Sequence, residues 1–359
     1  MNDRSSHPLN DKRVLITGGT GSLGKSLVRR LLGGQAGSPR KIIVFSRDEA
    51  KQHAMRVEYL QRRAVTDEVI YHNFERLLEF RIGDVRDFHS ISGVLADADV
   101  VFNAAALKQV PACEYFPFEA VRTNIEGPEN IIRAIREHRL SVETVIGIST
   151  DKACKPVNVM GMTKAIQERV FIRANLDCPQ TRFVCVRYGN VLASRGSVIP
   201  LFHEQIRAGG PVTITTEDMT RFLLSLEQAV DVILAALSHA LPGETYIPQV
   251  PASRVTDVAQ ALIGARDVPI KITGIRPGEK IHEILVSEEE AHRTIARGAY
   301  YVIRSILPEL QQEAPVETAL SAEYSSADSL MTAAEVAELL RREKLLVDDG
   351  SLTEGELLR

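Results

Sequence analysis

The chain lacks the sequence features of several protein classes. None of the apolar runs among its 359 residues is long enough to span a bilayer, and residues 1–13 contain no apolar region like that of a secretory signal. The four cysteines include no Cys-x-x-Cys pair, and no His, Cys and Asp cluster has metal-site spacing. A net charge of -4 gives no electrostatic reason to expect nucleic acid or an anionic membrane as partner. We therefore expect a cytoplasmic protein with reduced thiols and no metal.

The composition, 44% hydrophobic and 25% charged, is that of an ordinary globular enzyme. In the first half of the chain, short apolar runs alternate with amphipathic stretches. Such alternation predicts an α/β fold, a doubly wound parallel sheet with right-handed crossovers and helices on both faces. Strands are predicted at 14–17, 41–45, 80–82, 100–103, 145–149 and 183–187, and helices at 22–32, 49–60, 119–137 and 160–174.

The second half is organised differently. After residue 188 the alternation loosens, and glycine and proline interrupt the chain repeatedly. We expect the doubly wound domain at 11–187, a smaller lobe at 188–305 that is interleaved with it, and a C-terminal extension at 306–359. Within the extension, the segment 332–341 has a capped helical pattern.

A glycine-rich loop follows the first predicted strand. Three glycines at Gly-x-x-Gly-x-x-Gly spacing lie between that strand and the first predicted helix. Glycines permit a tight turn and close approach of the backbone to a pyrophosphate, which the positive end of the helix dipole also attracts. In this context the motif predicts a dinucleotide site. The loop residues assigned to it are Gly18, Thr20, Gly21, Ser22, Leu23 and Gly24.

The end of the second predicted strand bears on which dinucleotide is preferred. An NAD site usually carries an acidic residue there, which accepts a hydrogen bond from the ribose 2′-hydroxyl. Here Ser46 and Arg47 come first, and Lys51 lies one helical turn further on. Those residues suit a 2′-phosphate and favour NADP. In the alternative, Arg47 and Lys51 form a solvated face and Asp48 binds the hydroxyl of NAD.

Two further strand ends are expected to reach the cofactor. After the third strand, Asp84 is a candidate acceptor for the adenine amino group. After the fourth, three small side chains leave room for the cofactor, and a lysine follows at the carboxyl edge of the sheet, where ligands bind. The small side chains are Ala104, Ala105 and Ala106, and the lysine is Lys108. Val85, directly after Asp84, is assigned to the same site.

The fifth strand leads into a segment with acid and base groups. Thr150, Asp151 and Lys152 follow that strand, and Met160 and Lys164 share a face of the next helix. The spacing of the latter two is that of Tyr-x-x-x-Lys, the catalytic pair of many nicotinamide-dependent enzymes. Methionine can neither give nor take a proton, so either the chain is inactive or the proton chemistry has moved to the strand end. We interpret Met160 as a packing residue and Lys164 as a ligand of the nicotinamide ribose.

Together these motifs resemble the UDP-N-acetylglucosamine 4,6-dehydratases of bacterial polysaccharide biosynthesis, which are extended short-chain dehydrogenase/reductases. Gln109 departs from the histidine that relatives often have, and Met160 replaces tyrosine, as it does in one branch of the family. The matching segments are 17–24, 45–52 (FSRDEAKQ), 83–87, 104–111 (AAALKQVP), 149–152 (STDK), 187–191 (RYGNV), 194–200 (SRGSVIP), 219–222 (MTRF) and 276–280 (RPGEK).

The resemblance implies an NADP-binding Rossmann domain, a lobe that binds a UDP-N-acetylhexosamine, and a hydro-lyase. Hydride leaves C4, a base takes the C5 proton, water leaves from C6, and the hydride returns to C6. Asp151 is implied to be the acid for water loss and Lys152 the base at C5. We expect burial and nearby positive charge to lower the pKa of Lys152 so that it is neutral. The base for the C4 hydroxyl is open between Asp151, Lys152 and a water held by Thr150.

The resemblance also marks residues for the substrate and implies a homo-oligomer. The expected contacts to the sugar, phosphates and nucleotide ribose are Lys108, Asn190, Val191, Arg195, Ser197, Arg221, Arg276 and Glu279. Two alternatives stay open: a nucleotide-sugar 4-epimerase or reductase on the same fold, and a non-catalytic nucleotide-binding scaffold.

Overall fold

The computed structural model of the chain describes residues 7–61, 68–192, 197–311 and 317–347. The strands of the first half are β1 (Arg13–Thr17), β2 (Lys41–Ser46), β3 (Leu78–Ile82), β4 (Val100–Asn103), β5 (Thr144–Ile148) and β6 (Arg182–Val186). Its helices are α1 (Ser22–Leu32), α2 (Glu49–Gln61), α3 (Glu68–Leu77), α4 (Phe88–Leu95), α5 (Val110–Tyr115), α6 (Pro117–Val121), α7 (Gly127–His138) and α8 (Val159–Asp177). All six predicted strands are confirmed.

Shorter elements follow in the second half. The strands are β7 (Asn190–Val191), β8 (Val212–Ile214), β9 (Thr220–Leu224), β10 (Thr245–Pro248), β11 (Ala252–Arg254), β12 (Ile270–Ile272), β13 (Ile284–Val286), β14 (Thr294–Arg297), β15 (Tyr300–Ile303) and β16 (Tyr324–Ser325). The helices are α9 (Val198–Arg207), α10 (Leu226–His239), α11 (Val255–Ile263), α12 (Glu288–Ala291) and α13 (Ala333–Arg342).

A nine-stranded sheet lies at the centre of the fold. Its strand order is β14-β15-β10-β6-β5-β4-β1-β2-β3, and all neighbours from β3 to β10 are parallel. The last two strands, β15 and β14, each run antiparallel to the strand before them. The order reverses between β1 and β4, the position at which doubly wound sheets bind ligands beyond their carboxyl ends. The predicted doubly wound α/β fold is therefore confirmed.

Apolar clusters cover both faces of this sheet. One cluster packs α1 and α10 against it, and the other packs α4, α7 and α8 against the opposite face. The central strands are accordingly buried along nearly their whole length, as their continuous apolar runs predict. Among the described residues, no helix combines the length and the apolar content needed to cross a membrane.

The helix predicted at 119–137 is confirmed as a continuous helical segment, but it contains an irregular turn. A turn of π-helix at Arg122–Glu126 separates α6 from α7. Pro128 lies in the first turn of α7 and has no N–H to donate to the carbonyl of Asn124, so the regular hydrogen-bond ladder is interrupted there. The buried Asn124 side chain donates to Thr163 of α8 at 3.0 Å, so the irregular turn also fixes the two helices together.

A buried ion network fastens α8 to the end of the sheet. Arg187, directly after β6, lies 2.6 Å from Glu168 of α8 and 2.8 Å from Glu290 of α12. Burial acts to lower the pKa of Arg187, but the two carboxylates raise it overall. Removal of one member would leave a buried charge unpaired, which is strongly destabilising. The network therefore holds α8, the helix that carries Lys164, in a defined place.

The second lobe has its own apolar core. Helices α9 and α11 pack there with α13, the helix predicted at 332–341, which begins with a capping box between Thr332 and Glu335. Small sheets complete the lobe: β11-β9-β7, β12-β8 and β13-β16. Beyond residue 187, β10, β14 and β15 return to the large sheet, so the second half of the chain contributes to both parts of the fold.

Candidate active site

The glycine-rich loop makes a tight connection between β1 and α1. Gly18 has a φ of +65°, and a Cβ atom there would lie 2.8 Å from the backbone of Ala105. A Cβ on Gly24 would lie 2.5 Å from the Cα of Gly19, so α1 packs directly on the turn. Gly21 is the N-cap of α1, and no side chain in the described part of the chain caps this end. The first N–H groups of the helix are therefore available to an anion.

The ends of β1 and β4 are joined beside this loop. Thr17 donates to Asn103 Oδ1 at 2.8 Å and accepts from the N–H of Ala105 at 3.2 Å. The Asn103 amide nitrogen is buried and has no hydrogen-bond partner among the described residues. A close-packed glycine turn, an uncapped helix end and an unpaired buried donor form a site that fits a dinucleotide.

Charged side chains surround the end of β2. The side chain of Arg47 is 57% exposed and lies 3.6 Å from Asp84, while Lys51 pairs with Asp48 at 2.5 Å. Gln52 donates to both the hydroxyl and the carbonyl of Ser46. Asp84 is also bound by Arg86 at 2.7 Å. Burial acts to raise the pKa of Asp84, but the hydrogen bonds from Arg86 lower it overall, so this carboxylate is charged.

The acid–base segment forms a short 3₁₀ turn at the end of β5. Thr150 is the N-cap of that turn, and its hydroxyl donates to Asp151 Oδ1 at 2.8 Å. Lys152 Nζ donates to the same oxygen at 3.0 Å. Asp151 is completely buried, whereas the Lys152 side chain is 23% exposed. The three predicted residues therefore form one hydrogen-bonded unit at the carboxyl edge of the sheet.

Two further charged groups join this unit from the second lobe. Glu283, directly before β13, lies 3.3 Å from Lys152 Nζ, and Arg221 of β9 lies 3.8 Å from the same Glu283 oxygen. Glu283 is 2% exposed, and its other oxygen has no hydrogen-bond partner among the described residues. The same is true of the second oxygen of Asp151. Lys152 thus lies between two buried carboxylates, each with an unused acceptor atom.

These carboxylates reverse the expected pKa shift of Lys152. Burial and Arg221 act to lower the pKa, but Asp151 and Glu283 raise it above its ordinary value. The expectation of a lowered pKa was wrong because it counted nearby cations and burial without the carboxylates of Asp151 and Glu283. In this arrangement Lys152 carries its proton.

The helix position that would hold a catalytic tyrosine has no polar function. Met160 is 5% exposed and packs with Cys113 and Ala120 in a small apolar cluster, which confirms its interpretation as a packing residue. One turn later, Lys164 donates to the carbonyl of Ile148 and, at 2.6 Å, to Gln167. Burial lowers the pKa of Lys164 to about 8. Its ammonium lies at the end of β5, on the same edge of the sheet as Asp151.

A narrow, mostly apolar cleft of about 20 Å³ in the second lobe brings together several residues assigned to the substrate. Asn190, Val191, Ser197 and Arg221 line it together with apolar side chains of β9 and α11. The side-chain oxygens of Asn190 and Ser197 are buried and have no hydrogen-bond partner among the described residues. These oxygens can accept hydrogen bonds from ligand hydroxyl or amide groups, and the arginine can bind an anionic group.

The RPGEK segment packs on the loop that follows Lys152. Asn158 donates to the carbonyl of Gly278 at 2.7 Å, and Lys280 donates to the carbonyl of Cys154 at 2.5 Å. Arg276 is exposed, and Glu279 accepts from Thr215 at 3.4 Å. This docking brings the segment close to the acid–base unit.

Comparisons with known proteins show the family of the chain. The sequence profile of the family described as "Polysaccharide biosynthesis protein" matches residues 14–305. The chain belongs to this family.

Individual members of the polysaccharide biosynthesis protein family are similar over most of the chain. One is the UDP-N-acetylglucosamine 4,6-dehydratase (inverting) of Campylobacter jejuni subsp. jejuni serotype O:23/36 (strain 81-176), 42% identical, with 85% of this chain and 86% of that protein covered. The UDP-glucose 4-epimerase of Rickettsia typhi (strain ATCC VR-144 / Wilmington) is 43% identical, with 82% and 83% covered. The X-ray structure of Pen from Bacillus thuringiensis superposes with a TM-score of 0.82 at 34% identity, covering 94% of this chain and 99% of that one.

Most residues predicted for the site lie at the carboxyl edge of the sheet or in the cleft beside it. Lys108 is exposed beyond the end of β4, and Arg276 and Glu279 lie in the docked segment. Arg195 falls outside the described residues. The residue that sequence reasoning missed is Glu283, because no motif or spacing relates it to Lys152. Its position three residues after the RPGEK motif was the one available signal.

Proposed function

We propose that this protein is an NADP-dependent 4,6-dehydratase of UDP-N-acetylglucosamine that acts in the cytoplasm. The observation that carries the proposal is the unit of Asp151 and Lys152, an acid and a base 3.0 Å apart at the edge where the sheet binds ligands. The relative from Campylobacter jejuni, whose name gives that activity, supports it. Residues 11–187 contribute the cofactor site, and the lobe at 188–305 contributes the contacts to the UDP-sugar.

The cofactor site favours NADP over NAD. Asp48 pairs with Lys51, whereas the exposed side chain of Arg47 lies beside the end of β2, where it can meet the cofactor. An arginine there suits a 2′-phosphate. When bound, such a cofactor would supply a hydride acceptor for C4 of the sugar and a hydride donor for C6. Lys164, held at the end of β5, would bind the nicotinamide ribose.

One internal proton transfer gives both reactive groups the forms that they need. A base at C5 must be neutral, and an acid for the 6-hydroxyl must be protonated. Transfer of a proton from Lys152 Nζ to Asp151 Oδ1 produces both at once. Lys152 then takes the C5 proton, which the C4 ketone acidifies, and Asp151 protonates the departing hydroxyl so that water leaves. The proton of the C4 hydroxyl passes to solvent through a water held by Thr150, and C5 regains a proton from solvent. Lys152 is then again protonated and Asp151 ionised, so the cluster returns to its starting state.

The second lobe holds the rest of the substrate. Asn190 and Ser197 offer unpaired acceptors in the cleft, where Arg221 offers a cation to the diphosphate. Arg276 and Glu279, on the docked segment, suit a phosphate and the nucleotide ribose, and Val191, Arg195 and Lys108 complete the proposed set.

A 4-epimerase is the second candidate, because similar proteins from Rickettsia carry that name. Both reactions begin with oxidation at C4, but epimerisation returns the hydride to C4 and needs no base at C5 and no acid for the 6-hydroxyl. The unit of Asp151 and Lys152 offers such a base and acid. The dehydratase is favoured for that reason.

The deciding experiment measures loss of water. The purified protein is incubated with UDP-N-acetylglucosamine and either NADP or NAD, and the products are analysed by mass spectrometry and by NMR in deuterated water. We expect a product lighter by one water, with NADP the better cofactor and deuterium at C5. Lys152→Ala should retain cofactor binding and lose the product. A product of unchanged mass supports the epimerase, and the absence of any product with bound cofactor contradicts both.

The surface of the catalytic helix supports a homo-oligomer. Five large apolar side chains are exposed on the adjoining helices α5, α6 and α8, and we call them the α5–α8 apolar patch. They are Tyr115, Phe116, Phe118, Met162 and Ile166. Contiguous exposed apolar surface is typical of an interface, and we propose a second copy of this chain as its partner.

A further inference from the structure

We propose that Glu283 is a positioning residue for Lys152: its buried carboxylate holds the ammonium group opposite Asp151 and links it to Arg221 of the substrate cleft. The inference rests on the proposed function, in which Lys152 is the base at C5. Glu283 itself need not touch the sugar.

The geometry around Lys152 carries the first step. Its Nζ lies 3.0 Å from Asp151 and 3.3 Å from Glu283. Two carboxylates from separate parts of the chain restrict where a long, flexible side chain can place its amine. An amine that attacks one particular proton gains from such restriction, because a misplacement of about 1 Å can cost a factor of about 100 in rate.

The position of Glu283 is itself fixed by the fold. Its N–H donates to Ser326 Oγ at 2.9 Å, and the N–H of Ser326 donates to the Glu283 carbonyl at 2.8 Å. These bonds lie beside the β13–β16 pairing and hold the backbone on both sides of the carboxylate. Glu283 therefore presents a rigid anion, and Lys152 is the partner that adapts.

The charges around Lys152 show what the anion does to the base. The groups that face it are Asp151 from its own turn, Glu283 from the start of β13 and Arg221 from β9; Lys164 of α8 points to Ile148. Glu283 raises the pKa of Lys152, and Arg221 acts in the opposite direction. A higher pKa makes the neutral amine a stronger base toward C5, at the expense of the fraction that is neutral.

The unpaired oxygen of Glu283 distinguishes this role from simple structural pairing. A buried ion pair retained only for stability usually has its lone pairs satisfied, because an unsatisfied carboxylate oxygen is costly. Glu283 keeps one oxygen without a partner among the described residues. Such an arrangement is typical of sites where function tolerates a local cost.

The test compares Glu283→Gln with Glu288→Gln. At position 283 the amide keeps the shape of the side chain and removes its charge, so the pKa of Lys152 falls. Because the reactive pair shares one proton, loss of that proton at high pH sets the basic limb. We expect the basic limb of the pH profile of kcat to move to lower pH by about one unit, and the plateau to fall about 10- to 100-fold, with KM little changed. Glu288, an exposed partner of Lys155, is the matched control and should leave both unchanged.

A second readout does not depend on the sugar. Trace acetylation with acetic anhydride over a pH series, read at Lys152 by peptide mass spectrometry, should give a midpoint that is lower in Glu283→Gln. That shift is expected even if the wild-type protein fails to dehydrate UDP-N-acetylglucosamine, so failure of the proposed function is recognised separately. If Glu283→Gln shifts neither the limb of the kcat pH profile nor the pH midpoint of Lys152 acetylation, the proposal is overturned, however much activity is lost.

Folding of the variants is checked by thermal unfolding and cofactor binding. If Glu283→Gln does not fold, Glu283→Asp is used, since it keeps the charge and withdraws it by one methylene. For Glu283→Asp we expect the limb of the kcat pH profile to lie near that of the wild type and kcat itself to be lower. A Glu283→Asp variant with wild-type kcat contradicts the positioning role.

Discussion

Lys164 is a buried lysine whose protonation should be visible in stability. Burial lowers its pKa from 10.5 to about 8 in the folded protein. Between these values the unfolded chain binds more protons than the folded one, so the contribution of Lys164 to stability rises with pH. The shift corresponds to about 3 kcal/mol. We expect the free energy of unfolding of the wild type, relative to Lys164→Met, to increase by about that amount from pH 8 to pH 10.5.

Urea unfolding at a series of pH values, without added cofactor, makes this measurement. The exposed Lys271 provides the control, because Lys271→Met should leave the pH dependence of the wild type unchanged. A constant difference between the wild type and Lys164→Met across that window would show that the amine is not desolvated as the structure indicates.

At the residue scale, local motifs predicted the acid–base unit but not its electrostatics. Thr150, Asp151 and Lys152 are adjacent in sequence, so a single strand end identified all three. Asp151 and Glu283 both raise the pKa of Lys152, and the prediction counted neither. Asp151 is adjacent in sequence and could have been counted, whereas only the folding of β13 against the 3₁₀ turn brings Glu283 within 3.3 Å.

At the scale of elements, Asn158 joins α8 to the RPGEK segment at 276–280, the docked segment. Its Oδ1 caps α8 by accepting from Gly161, and its Nδ2 donates to Gly278. Asn158→Ala removes both bonds. We expect a loss of about 1 kcal/mol in stability from the cap and a higher KM for the UDP-sugar, because Arg276 and Glu279 lose their fixed position.

Asn158→Asp separates the two effects. Aspartate keeps the capping oxygen, which an N-terminal helix dipole favours, but faces the Gly278 carbonyl with an oxygen in place of a donor. Urea unfolding should give a stability near that of the wild type, and steady-state kinetics a raised KM. An unchanged KM in both variants would mean that the docked segment does not contact the substrate.

The elements that sequence predicted well are those with a strong local period. The strands β1 to β6 are buried on both faces and read as continuous apolar runs, and α1 was predicted with its observed limits. The π-turn before Pro128 was missed because the amphipathic period continues through it. The strands from β7 to β16 have two to five residues, and apart from the β14–β15 hairpin most pair with distant partners. Their sequences therefore contain too few positions for a pattern.

At the scale of the whole molecule, the second half of the chain returns to the large sheet through β10, β14 and β15. The looser pattern after residue 188 predicted a different lobe, but pairing between such distant strands could not be read from it. The remaining exposed apolar surface is also a property of the whole fold. Residues of three helices form the α5–α8 apolar patch only once those helices pack together.

This patch gives a prediction for the assembly. Ile166 of α8 is 47% exposed, and Ile166→Glu places a charge in the proposed interface. We expect the variant to sediment as a smaller species than the wild type in analytical ultracentrifugation, because burying an unpaired carboxylate against another copy is unfavourable. Leu60→Glu is the matched control, since Leu60 is a helical apolar residue of nearly equal exposure, 46%, on α2. If both variants sediment as the wild type does, copies of this chain do not associate through the patch.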